Sequence, residues 1–128
     1  MDRRLTSPYR PPRCRTRRQR RGIARRYSEG IRNSRVRCPD DFGADNVAHL
    51  FVVRCTERDG FRQHLEAEGI ASDIHYPIPD HRQPAYPAPG GDALAVTERL
   101  AREIVTIPCF TELEEDEISQ VIAAVNRW

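Results

Sequence analysis

The sequence predicts an α/β fold in which a short three-stranded sheet carries its helices on one face. Three observations point there. Compact apolar runs rich in β-branched and aromatic residues alternate with stretches whose apolar residues recur at helical spacing. Capping and stop residues fall between the two kinds of segment. Only three runs read as strands, which favours a small layer over a doubly wound sheet. With helices on one face, the other face needs a partner surface.

The first helix runs from about Arg18 to Gly30. Ile23, Ala24, Tyr27 and Ile31 fall on one face, and Gly30 and Asn33 supply stop signals. Its outer face is strongly basic. Residues 39–46 are turn-rich, and His49-Leu50-Phe51-Val52-Val53-Arg54-Cys55 then reads as a buried strand. Thr56 is placed to cap the next helix, with Asp59 at its third position. Phe61 and Leu65 face inward from that helix and Gly69 ends it, although Gly60 weakens its first turn. Ile70 to Tyr76 reads as a second strand, with Ile74 and Tyr76 on one side and Asp73 and His75 on the other. A third helix spans roughly Leu94 to Glu103, and Val105-Thr106-Ile107 is a short strand stopped by Pro108. Thr111 and Glu114 form a capping box for the last helix, whose stripe is Ile118, Val121, Ile122 and Val125.

Composition narrows the function. At 128 residues, with 38% hydrophobic and 31% charged residues, one domain with a modest core is expected. No apolar run approaches the length of a membrane span and no signal-peptide pattern opens the chain, so a cytoplasmic protein is expected. Cys14, Cys38, Cys55 and Cys109 lack the close pairing of a zinc site and read as free thiols. Charge is divided: residues 1–37 are net +12 and residues 38–128 net −10, which together give +2. Residues 1–17, dominated by Arg and Pro, lack any apolar period and are expected to be disordered. Such an arm would make a small nucleic-acid-binding module the rival reading from another class. All 21 basic residues are arginine. Chemistry that needs a lysine amine is therefore closed to this chain alone.

The densest polar chemistry lies in His75-Tyr76-Pro77-Ile78-Pro79-Asp80-His81-Arg82-Gln83-Pro84-Ala85-Tyr86. Its prolines fix φ and push the residues before them toward extended geometry, giving a stiff loop. Stiffened connections of this composition also occur without function, and that reading stands beside the next. His75, Asp80 and His81 lack a fourth metal ligand. Cys109 with either histidine has no nucleophile motif around it. What remains is recognition of hydroxyls and phosphates by imidazole, phenol, amide and guanidinium groups, on a surface that needs a second wall to close a pocket.

The run Gly69-Ile70, His75-Tyr76-Pro77-Ile78-Pro79, His81 and Gln83-Pro84-Ala85-Tyr86 resembles the C-terminal domain of nucleotide-sugar aminotransferases of the DegT/StrS type. Thr97-Glu98, Leu100-Ala101, Glu103-Ile104, Ile107-Pro108, and Thr111 through Ile118 and Val121 follow in the same order. The strand from His49 and the helix from Arg18 also match, so the resemblance covers about residues 18–128.

The resemblance implies the small α+β domain of the aspartate aminotransferase fold, with residues 18–37 as a linking helix and turn and residues 38–128 as the small C-terminal domain. It also implies pyridoxal phosphate in the full-length family and an amino transfer to a keto-sugar carried on a nucleotide, in amino-sugar biosynthesis. The form of the loop is similar to members that aminate carbon 3 of a deoxyhexose. His75, Tyr76, His81, Gln83 and Tyr86 would then face the sugar. The family's large domain, with its cofactor lysine, has no counterpart in these residues. No catalytic, cofactor-binding or metal-binding residue is thus assigned, no cofactor is expected for the chain alone, and it is expected to be inactive by itself. A separate large-domain partner, a homodimer, or an interaction subunit completing a split enzyme are the assemblies to consider; nucleic acid and membrane are not expected partners. Residues 1–17 depart from the family, as a segment translated in another reading frame would.

Overall fold

The computed structural model describes residues 13–40, 45–85 and 94–128. Its elements are α1 (Arg13–Gly30), β1 (Val36–Arg37), β2 (Phe51–Cys55), α2 (Arg58–Ala67), α3 (Ala95–Glu103), β3 (Ile104–Ile107) and α4 (Glu115–Arg127). The three strands form one antiparallel sheet with β2 in the middle, in the order β1-β2-β3. This is the expected small α+β layer.

Register decides what the sheet can bury. Phe51 pairs with Ile107, Val53 with Val105, and Val36 with Cys55, so all six share one face. All six are buried. Tyr27 of α1 sets its ring edge against Phe51 at 5.1 Å and 72°. Phe61 and Leu65 of α2, and Ile118, Val121, Ala124 and Val125 of α4, complete the same core. The opposite face carries Val52, Arg54, Ile104 and Thr106, where Arg54 donates to Glu103 at 2.8 Å.

Polar contacts between distant segments lock α1 to α4. Asn33 donates to the Val125 carbonyl at 2.9 Å and Asn126 to that of Gly30 at 2.9 Å. Tyr27 donates its hydroxyl to the Pro108 carbonyl at 2.7 Å. Its burial raises the phenol's pKa, so it remains a donor. α2 ends in a Schellman motif: Gly69 has φ 76°, its amide bonds Glu66, and the Ile70 amide bonds Leu65. Gly60 marks a close approach, since a Cβ there would stand 3.1 Å from the Trp128 ring.

Several expectations need correcting. The strand expected over Ile70–Tyr76 reduces to one bridge between Asp73 and Thr106, and the third strand is β1. Asp73 takes the Ile74 amide with its own carboxylate at 2.7 Å, which withdraws that amide from the ladder. Tyr76 then turns to φ 58°, a value no strand accommodates. α1 begins at Arg13 rather than Arg18, so residues 13–17 are helical; residues 1–12 lie outside the described residues. Glu57, not Thr56, holds the N-cap position of α2, without a side-chain bond. Glu114 rather than Thr111 caps α4, in a reciprocal box with Glu117 that has the anticipated three-residue spacing. No described helix is long and apolar enough to cross a membrane.

Candidate functional site

The proline-rich loop leaves the sheet at the Asp73–Thr106 bridge and returns toward α3. Its first polar residue is anchored to the strand: His75 Nδ1 lies 2.9 Å from the Thr106 hydroxyl. The other ring nitrogen, Nε2, faces Asp73 Oδ2 at 3.9 Å. Tyr76 follows in the left-handed region with 81% of its surface exposed. A non-glycine residue held there stores strain, and here the strained turn lifts a phenol into solvent.

The second half of the loop is tied elsewhere. Asp80–Arg82 form one 3-10 turn. Glu98 on α3 gathers three donors on a single oxygen: His81 Nε2 at 3.1 Å, Arg82 Nε at 3.0 Å and Arg82 Nη2 at 2.6 Å. Hydrogen bonding from Arg82, then from His81, holds the Glu98 carboxyl below the usual carboxylate range. Gln83 donates back to the Ile78 carbonyl at 2.9 Å, closing the loop on itself. His75 and His81 are thus anchored to different elements, one to β3 and one to α3. Tyr86 lies outside the described residues.

Beside the His75 anchor opens a shallow cleft of about 520 Å³. Leu50, Ile107, Pro108 and Phe110 give it apolar walls, and Arg20, His49, Asp73 and Thr106 supply polar groups. Phe110 is exposed at its rim. Arg20 and His49 bond each other at 2.9 Å. Thr106, Asp73 and Glu98 were not foreseen as site residues. A faint signal existed for Thr106, a hydroxyl set between Val105 and Ile107 in an otherwise apolar strand.

The pattern of the DegT/DnrJ/EryC1/StrS aminotransferase family matches residues 14–126. The chain belongs to that family. It is 38% identical over 113 residues to dTDP-3-amino-3,6-dideoxy-alpha-D-galactopyranose transaminase of Aneurinibacillus thermoaerophilus, covering 86% of this chain and 31% of that protein. Against dTDP-3-amino-3,4,6-trideoxy-alpha-D-glucose transaminase of Streptomyces venezuelae it is 42% identical over 95 residues, covering 73% and 24%. The crystal structure of S. venezuelae DesV in complex with a ketimine intermediate superposes with a TM-score of 0.82 at 35% identity, covering 90% of this chain and 32% of that one. The chain therefore spans about a third or less of the length of these relatives.

The family as a whole uses pyridoxal phosphate. The residues of this chain do not fit that cofactor's covalent attachment, because the sequence contains no lysine. No step of its chemistry is assigned to these residues.

Proposed function

We propose that this chain is the C-terminal part of a nucleotide-sugar aminotransferase, that its loop forms one wall of the sugar pocket, and that it does not transaminate without the remainder of such an enzyme. One observation carries the proposal. The loop ties His75 to Thr106, which lines an open cleft, and carries the exposed, strained Tyr76 next to it, while the chain has no lysine. Recognition groups are present and the covalent catalyst is not.

The loop residues divide by role. His75 and Tyr76 meet the sugar, as does Tyr86, while His81 through Glu98 and Gln83 through Ile78 hold the wall in shape. The C-terminal placement is supported by the order of the matching segments. Amination at carbon 3 of the sugar is supported by the two transaminases above, both named for a 3-amino product. The partner is a large domain of the family, supplied separately or in a longer assembly.

Purified chain incubated with pyridoxal phosphate, glutamate and a dTDP-keto-deoxysugar should give no amino sugar and no borohydride-stable cofactor adduct. A trapped adduct would overturn the reading. Co-expression with the A. thermoaerophilus transaminase truncated to remove its matching third should restore amination, and continued silence in a correctly assembled complex would count against it.

A further inference from the structure

The single bridge between Asp73 and Thr106 places a polar side chain on each side of the His75 ring. Two backbone bonds make the bridge, Thr106 N–H to Asp73 O at 2.8 Å and Asp73 N–H to Thr106 O at 3.1 Å. On the inner side the Thr106 hydroxyl, on a residue only 9% exposed, sits against Nδ1 at 2.9 Å. On the outer side Asp73 Oδ2 stands 3.9 Å from Nε2, with side chains 74% exposed for Asp73 and 37% for His75. The other Asp73 oxygen is occupied by the Ile74 amide, which fixes the carboxylate's direction.

That outer gap is too long for a direct hydrogen bond. It is short enough for one ligand oxygen to lie within bonding distance of both atoms. With the ring proton on the nitrogen that faces the Asp73 carboxylate, Nε2 is the N–H and Nδ1 accepts from the Thr106 hydroxyl. The outward pair is then a donor beside an acceptor. A hydroxyl satisfies both, accepting from His75 and donating to Asp73. A phosphate or carboxylate oxygen satisfies only the first and is repelled by the second.

We propose that Asp73 and His75, with Thr106 as a positioning residue, form a subsite selective for a ligand hydroxyl over an anionic oxygen. The subsite rests on the reading of the loop as a sugar wall and sharpens it. This end of the loop takes a neutral hydroxyl of the sugar ring, and the nucleotide's phosphates lie elsewhere.

The test uses the full 128-residue chain, labelled with 15N, and long-range imidazole spectra recorded with the ring neutral. His75 should show the Nε2–H tautomer. Thr106→Val, which keeps the β-branched shape but removes the donor to Nδ1, should lower the share of that tautomer while β2 and β3 amide shifts stay in place. The methyl glycoside of a 6-deoxyhexose should move the His75 resonances, and inorganic phosphate at equal concentration should not. Asp73→Asn, which retains an acceptor for the Ile74 amide, should weaken the glycoside response on the order of tenfold and raise that to phosphate. An Nδ1–H tautomer in the wild type overturns the subsite, as does phosphate acting as strongly as the glycoside. A glycoside that moves Tyr76 but leaves Nε2–H unmoved overturns the subsite alone. A glycoside that moves neither residue, in the chain alone and in its complex with the truncated transaminase, overturns the sugar-wall reading, and the subsite with it.

Discussion

The helical side of the sheet and the proline-rich loop are held by different forces. On the helical side Tyr27, Phe51, Phe61, Leu65 and Val125 are fully enclosed, and burial of apolar surface maintains their arrangement. The loop contributes no fully buried residue from His75 to Ala85. Its shape depends on prolines, on Thr106 at one end and Glu98 at the other, and on Gln83 bonding its own loop. The first region suffers most from lost volume. The second should respond in the opposite way.

Substitutions can break this contrast in turn. The largest effect is expected from Phe61→Ala, which empties a fully buried site against Trp128 and should cost about 3–5 kcal/mol in urea unfolding. Tyr27→Phe removes the bond to Pro108 and leaves that carbonyl short of a donor, at about 1–2 kcal/mol by the same measurement. Gly69→Ala forces an alanine into the left-handed turn after α2 and should cost about 1 kcal/mol. Glu98→Gln should lower the unfolding midpoint only slightly, far less than Phe61→Ala, yet speed amide exchange at Arg82 and Gln83, since it removes the charge that holds Arg82 and His81 together. An unfolding midpoint that dropped as far as for Phe61→Ala would show that loop and core are not separable.

Acid probes the same boundary more gently. The carboxyls of Glu98, Glu103 and Glu68 are held low in the folded state by hydrogen bonds from Arg82, Arg54 and Arg127 respectively. Groups with depressed folded values contribute stability above their unfolded pKa and lose it as pH falls through the folded one. A shallow loss of stability is therefore expected as pH falls below about 4.5, the ordinary glutamate value. Added salt should reduce this dependence, because these pairs are reached by solvent. A pH titration of unfolding at low and high salt checks both statements.

How far the sequence revealed this arrangement follows the same division. The stripe of α4, the strand around Val53 and the inward pair Phe61 and Leu65 were legible because periodic burial writes itself into residue type. β1 was not, because two residues carry no period. The strand expected to end at Tyr76 failed where one aspartate captured the next amide, a local competition that a hydrophobic pattern cannot register. In the loop the residue types were visible but their partners were not. Glu98 lies 17 residues beyond His81, and only the fold brings them together.

The pairing of α1 with α4 has a consequence in time. Asn33 and Val125 are 92 residues apart, so at usual synthesis rates roughly 5 to 20 s separate the appearance of α1 from that of the helix that covers it. Through that interval the side of the α1 stripe that α4 closes stays open. The arginines along the exposed side of α1, at 15, 17, 18 and 25, surround that uncovered stripe with like charge. Like charge there disfavours the pairing of two such open stripes until α4 arrives.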